Sequence, residues 1–322
     1  MNPAAEYKRF EAARKREERA ALKRQRELER ALKEQAKRSA LEQAKLEVEA
    51  FENSIDVLLS VHKDVSAPFD WIGAVTALAS HAATPDEIQS REWLRSLAHR
   101  VLTGDPDAYE TTLLELSSFG EMSALGSALE FGFPGPTLLE CTVVVNGLDA
   151  IPVESKSLTA AGKVSTKPMP KARFHEIYQD HVCSCVLRLA REVFALLPVA
   201  DVIVTARVRM VDSATGHEVE RPVLSVAIPR QGLDALDFAR LDPSDSMANF
   251  RCRGDAMVSR KSGDFVTIDP LHAADLADAV PAAECSLAQL RARVHDMSLE
   301  IGKRRNAATP RRASRSDDLA IL

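Results

Sequence analysis

Six apolar residues, Leu41, Ala44, Val48, Phe51, Ile55 and Leu58, follow one another at 3-4-3-4-3 spacing. No other feature of the chain narrows its fold so much. On a helix of about 3.6 residues per turn this spacing draws one straight stripe, the seam along which a helix packs on a partner helix. A helix cannot bury such a stripe alone, so the sequence predicts association before it predicts chemistry. Upstream, from about Tyr7 to Leu32, the chain is Glu, Lys, Arg and Ala with sparse Leu. That composition predicts a solvated, fraying helix supported by Glu-to-Lys pairs four apart, such as Glu29 with Lys33. The charged helix and its coiled-coil continuation form an arm over residues 1–65, closed by Pro68.

The net charge of -5 conceals an asymmetry. Residues 1–50 hold 14 Lys/Arg against 10 Glu, a net of +4, which leaves -9 for the remainder. Interleaved Glu nearly cancels the field of the arm, so nucleic acid is not the favoured partner. There is no run of 18 apolar residues and no apolar segment behind a basic start. The expectation is a cytoplasmic protein without a membrane span. Five cysteines form an odd set without the spacing of a disulfide scaffold, and Cys183 and Cys185 read as buried reduced thiols. His181 and Cys185 share a helix face, but two ligands on one helix do not make a metal site.

The body alternates helix signals and extended runs. Thr84-Pro85-Asp86-Glu87 starts a helix that Gly104 ends, and Asp105-Pro106 starts another. One more short helix is expected up to Phe133-Pro134. Residues 141–145 are β-branched and end in the turn pair Asn146-Gly147, with further candidate strands at 151–158 and 162–167. Residues 171–197 are the longest apolar-periodic stretch, apolar on several faces, as for a covered central helix. Strands at 202–211 and 219–228 follow, then a helix at 232–241. The fold class is α+β: a long N-terminal helical arm, a mixed or antiparallel sheet packed on a long central helix over residues 84–270, and a short C-terminal helix. That last helix, 286–303, carries a second seam at Leu290, Val294, Met297 and Ile301, ahead of a disordered basic tail at 304–322.

Residues 130–250, through VESKSLTAAGK, YQDHVCSCVLRLAREVFALLP, VLSVAIPR and LDPSDSMANF, resemble bacterial proteins of uncharacterised function. The resemblance covers a little over a third of the chain. It implies a defined domain, and neither an activity nor a functional residue.

Three functions of different classes fit these residues. The first is a non-enzymatic assembly or adaptor protein that joins itself or another coiled-coil protein through the ten seam positions above, with no cofactor. The second is a metal-dependent nuclease. Glu154-Ser155-Lys156 forms an E-x-K triplet on a predicted strand, with Glu140 and Asp149 upstream. Alternate strand positions point the same way, so the carboxylates would hold magnesium or manganese while Lys156 assists a water. The third is a small-anion or nucleotide sensor using Arg188 and Arg191 on the central helix. Arg188 and Glu192 lie four apart there, so the simpler expectation is that they pair.

Overall fold

The computed structural model describes residues 3–76, 85–121, 126–212, 214–257 and 265–276. The expected C-terminal helix, with Leu290, Val294, Met297 and Ile301, and the basic tail lie outside the described residues. The fold is α+β, with a five-stranded mixed sheet and a long helix packed against it.

The elements in chain order are α1 (Pro3–Ser60), α2 (Trp71–Thr76), α3 (Pro85–Thr103), α4 (Pro106–Leu116), β1 (Gly126–Gly135), β2 (Leu138–Val145), β3 (Glu154–Leu158), β4 (Val164–Pro168), α5 (Lys171–Leu196), β5 (Asp201–Val211), β6 (Glu218–Pro229), α6 (Arg230–Asp234), α7 (Pro243–Ser246) and β7 (Arg251–Gly254). The sheet runs β1-β2-β5-β6-β7. Only β2 and β5 pair in parallel, and the connection between them carries α5. The remaining pairs are antiparallel. Parallel neighbours need a crossover, which is the role α5 fills.

One strand overturns the sequence expectation. Residues 126–135 form β1, where a short helix was predicted. Gly126, Gly132, Pro134 and Gly135 are poor strand formers, and pairing with the β-branched run of β2 supplies what local propensity lacks. The turn pair Asn146-Gly147 likewise does not join two strands of one hairpin. It leads into a short 3-10 turn, and β3 pairs instead with β4 as a separate two-stranded sheet. The helix expected over 232–241 is the single turn α6.

The chain divides into two compact units. The first holds residues 1–57 and 151–174, that is, most of α1 with the β3–β4 hairpin. Here the stripe is not left bare: Ala44, Val48 and Ile55 are buried, Phe51 and Leu58 half-buried, and Leu41 is 36% exposed. The hairpin flanks the stripe. Gly162 of its turn sits against the Leu41 side chain, and Lys156 Nζ lies 2.8 Å from Glu47 Oε1. Further upstream, residues 14–43 are exposed on every side. The ion pairs among the described residues there are Arg14–Glu18 at 3.4 Å and Lys23–Glu27 at 3.9 Å. Both have the cation first, the weaker order and the reverse of the one expected.

The second unit holds residues 58–150 and 175–322, with the sheet and nearly all of α5. Seventeen residues of α5 are buried. Leu139, Cys141 and Val143 of β2, Val202, Val204 and Ala206 of β5, and Leu224, Val226 and Ile228 of β6 are buried on one face of the sheet. The opposite face is lined by Ile203, Thr205, Ser225 and Ala227, and a strap of residues 265–276 lies over it. Leu271 packs on Ile203 and Ala227, and its N–H donates to Ser225 Oγ at 3.0 Å.

Candidate functional site

The densest polar chemistry lies along α5. Arg188 and Glu192, one turn apart, are both buried and form an ion pair at 3.4 Å, as their spacing predicts. Two charges taken out of water need further partners. Glu192 Oε1 accepts from Ser66 Oγ at 2.6 Å and from Ser118 N and Oγ at 3.1 and 3.0 Å, and Oε2 accepts from Ser66 N at 3.0 Å. Arg188 Nη2 donates to Ser118 Oγ at 2.9 Å and lies 3.6 Å from Asp64 Oδ2. Burial raises the proton affinity of the Glu192 carboxyl, but the Ser66 and Ser118 hydrogen bonds and the Arg188 charge outweigh it. The net value lies below the ordinary carboxylate range.

One turn earlier, Ser184 Oγ accepts from the His62 backbone N–H at 2.9 Å, lies 2.9 Å from His62 Nδ1, and donates to Leu59 O at 3.2 Å. With the serine proton on Leu59 O, the network assigns the imidazole proton to Nδ1. His62 Nε2 is buried without a hydrogen-bond partner. Burial, and then the neighbouring Lys63 charge, lower the His62 pKa. His181, buried with Nδ1 3.1 Å from Leu58 O, is also lowered by burial. Arg191 donates to His62 O and stacks over the Phe238 ring at 4.0 Å. Serine, histidine and glutamate therefore all occur here, but each is spent on holding residues 58–66 and Ser118 against α5. Ser184 and Glu192 have no exposure to a reactant.

The C-terminal end of α5 is closed in the same way. Arg230 donates to Phe194 O, Leu197 O and Val199 O at 2.9, 2.6 and 2.9 Å and lies over the Phe194 ring. The Phe69 N–H and Trp71 Nε1–H take Ala195 O and Leu196 O. A guanidinium at this end both satisfies orphan carbonyls and complements the helix dipole. A cleft of about 470 Å³ beside it is lined by Ser66, Arg191, Arg230 and Phe238. Of the two arginines expected to serve an anion sensor, Arg188 is engaged by Glu192 and Ser118, and Arg191 by His62 O and the Phe238 ring.

The E-x-K residues are distributed as follows. Glu140, on β2, fastens the strap: its Oε1 accepts from Ala273 N at 2.8 Å and its Oε2 lies 3.7 Å from His272 Nδ1. Asp149 lies in the 3-10 turn after β2 and lines a cavity of about 850 Å³ with Asn146, Arg209, Glu218 and Phe265. Arg209 is itself 3.2 Å from Glu220. Glu154 and Lys156 are on β3, outside the sheet that holds Glu140, opposite Pro168 and Thr166. Lys156 is taken by Glu47. Among the described residues no group of three or more His, Cys, Asp or Glu is placed to hold a metal ion. Cys141, Cys183 and Cys185 are buried free thiols, and burial lifts Cys141 to about 12.

Sequence reasoning finds the Arg188–Glu192 pair by its spacing. It misses His62, Asp64, Ser66 and Ser118, whose partners on α5 lie 70 to 129 residues away. Among the described residues no helix is long and apolar enough to cross a membrane. Compared with known proteins, the chain matches no family model, no curated protein and no solved structure.

Proposed function

We propose that this chain is a non-enzymatic assembly or adaptor protein that works through α1. The observation behind the reading is the contrast within that one helix. Its last turns are covered by its own chain, whereas residues 14–43 are helical and exposed all round. Leu22, Leu28 and Leu32 stand 49%, 62% and 56% exposed in that stretch. Thirty residues of helix without cover gain nothing from burial, and a partner is what would add that gain. The polar groups of α5 support the same reading from the other side, because the chain consumes them internally.

Light-scattering mass across a concentration series tests the self-assembling form. The full chain is expected to run as a discrete oligomer, and Leu28→Asp with Leu32→Asp is expected to return it to a monomer. A monomeric mass at every concentration, unchanged by those substitutions, would rule that form out and leave only capture of a different protein.

A further inference from the structure

The exposed half of α1 carries a charge pattern that the totals conceal. Arg19, Lys23, Arg26, Arg30, Lys33 and Lys37 follow one another at 4-3-4-3-4 spacing. At about 100° per residue these six fall in an arc roughly 100° wide, and Lys15 and Arg16 fall in the same arc. Between residues 15 and 37 that accounts for eight of nine cations, with Arg24 elsewhere. The five Glu of the stretch lie outside the arc or, for Glu34, at its edge. The face is therefore basic over about 33 Å of helix. Every one of these side chains is exposed. Among the described residues Lys23 alone of the six is ion-paired, loosely, with Glu27 at 3.9 Å.

We propose that this face binds double-stranded DNA, with α1 lying along the major groove and its row of cations turned to the phosphates that border it. An α-helix with its side chains is about 10–12 Å across and the B-form major groove is about 12 Å wide. The deep, narrow major groove of A-form RNA does not admit such a rod. Residues 14–43 contain no aromatic side chain on which single-stranded bases would stack. A membrane surface needs a continuous apolar face opposite the basic one. Here that side of the helix sets Leu28 and Leu32 among Arg14, Glu17, Gln25, Gln35 and Ser39, and is not apolar. A regular row of cations without base-reading geometry predicts contact with the backbone, largely independent of sequence. This inference does not require α1 to join copies of the chain.

Fluorescence anisotropy of a labelled 30-base-pair DNA duplex with the full chain, from about 50 to 200 mM salt, tests it. Two variants remove equal charge: Arg19→Gln, Arg26→Gln and Arg30→Gln on the face, and Arg14→Gln, Arg24→Gln and Arg38→Gln off it. Glutamine keeps the helix, which circular dichroism verifies. The face variant is expected to bind at least tenfold more weakly and to lose about 2.7 from the log–log salt slope. The off-face variant should change affinity less than about threefold. Equal losses in both variants would mean that net charge alone is read, and would overturn the proposal. So would no affinity for the duplex at 50 mM salt. Equal or tighter binding to single-stranded DNA, duplex RNA, polyglutamate or phosphatidylserine vesicles would overturn it too. Light scattering of the same variants separates this result from assembly: loss of mass in the face variant with DNA affinity intact counts against the DNA surface.

Discussion

The two long helices of this protein use charge in opposite ways. In the middle of α5 Arg188 and Glu192 are buried and answered within the chain, Glu192 by two serines and that arginine, and beyond its C-terminal end Arg230 of α6 is answered by three carbonyls. Over residues 14–43 of α1 the charged side chains are exposed, and among the described residues the chain answers few of them. Charge taken out of water at such cost marks a place where the fold depends on it, whereas charge left in water contributes almost nothing to folding. The contrast locates architecture in α5 and availability in α1, and substitutions that break it should differ in size accordingly.

The largest effect is expected at Glu192. Glu192→Ala leaves Arg188 buried without its close counter-charge and orphans Ser66 and Ser118, for a loss of about 3–5 kcal/mol in denaturant unfolding. Glu192→Gln keeps an acceptor and should lose less. Protons make the same test. The Glu192 carboxyl is held below its ordinary value, so its stabilisation is full above the unfolded-state pKa and disappears as pH falls through the folded one. His62 and His181 act at higher pH. Both are lowered from 6.5, so below that value the unfolded chain binds protons that the folded chain refuses. Stability should fall as pH drops from about 7 to 5, and His62→Gln with His181→Gln should flatten that slope. A slope unchanged in the double variant would place the proton-sensitive groups elsewhere.

Arg230→Ala comes next. Three carbonyls at the end of α5 lose their donor and Phe194 loses the guanidinium above it, a cost of about 2 kcal/mol. Arg230→Lys should recover little, because one ammonium cannot span three carbonyls as a planar fork does. Full recovery in the lysine variant would mean that charge, not geometry, closes the helix.

How far the sequence disclosed this follows from the range of each interaction. Helix α5 was legible because its apolar period is local and strong, and the Arg188–Glu192 pair because four residues make one turn. Strand β1 was hidden, since its glycines and proline argue against a strand and only β2 argues for it. The residues that clamp α5 were hidden too, because Ser66, Ser118 and His62 look ordinary until the fold sets them beside Glu192 and Ser184. The stripe from Leu41 to Leu58 was visible as a seam, but the hairpin that flanks it at Leu41 and Glu47, more than a hundred residues on, was not. In the basic half of α1 the row of cations was always present in the spacing, and summing charges over the arm concealed it.

The contact of the hairpin with Leu41 yields a smaller effect. Gly162 has φ +72 and would set a Cβ 2.7 Å from Leu41 Cδ1. Gly162→Ala should cost about 1 kcal/mol from the left-handed backbone, with the Leu41 tip yielding to the methyl group. Gly162→Ala in a Leu41→Ala background separates the two contributions: the backbone cost stays and the contact cost goes.

The smallest effect is expected where the nuclease reading needs the largest. Lys156 and Glu47 form an exposed pair, and such pairs contribute about 0–1 kcal/mol. Lys156→Met should therefore shift the unfolding midpoint barely beyond error, and Glu47→Gln likewise, with the double variant departing from their sum by no more than the pair itself contributes, about 0–1 kcal/mol. If Lys156 served a magnesium- or manganese-dependent cleavage, the same substitution would instead abolish nicking of a DNA plasmid while leaving stability alone. Intact plasmid with both metals and the parent chain, together with a near-neutral Lys156→Met, would assign this lysine to the flank of α1 and to no reaction.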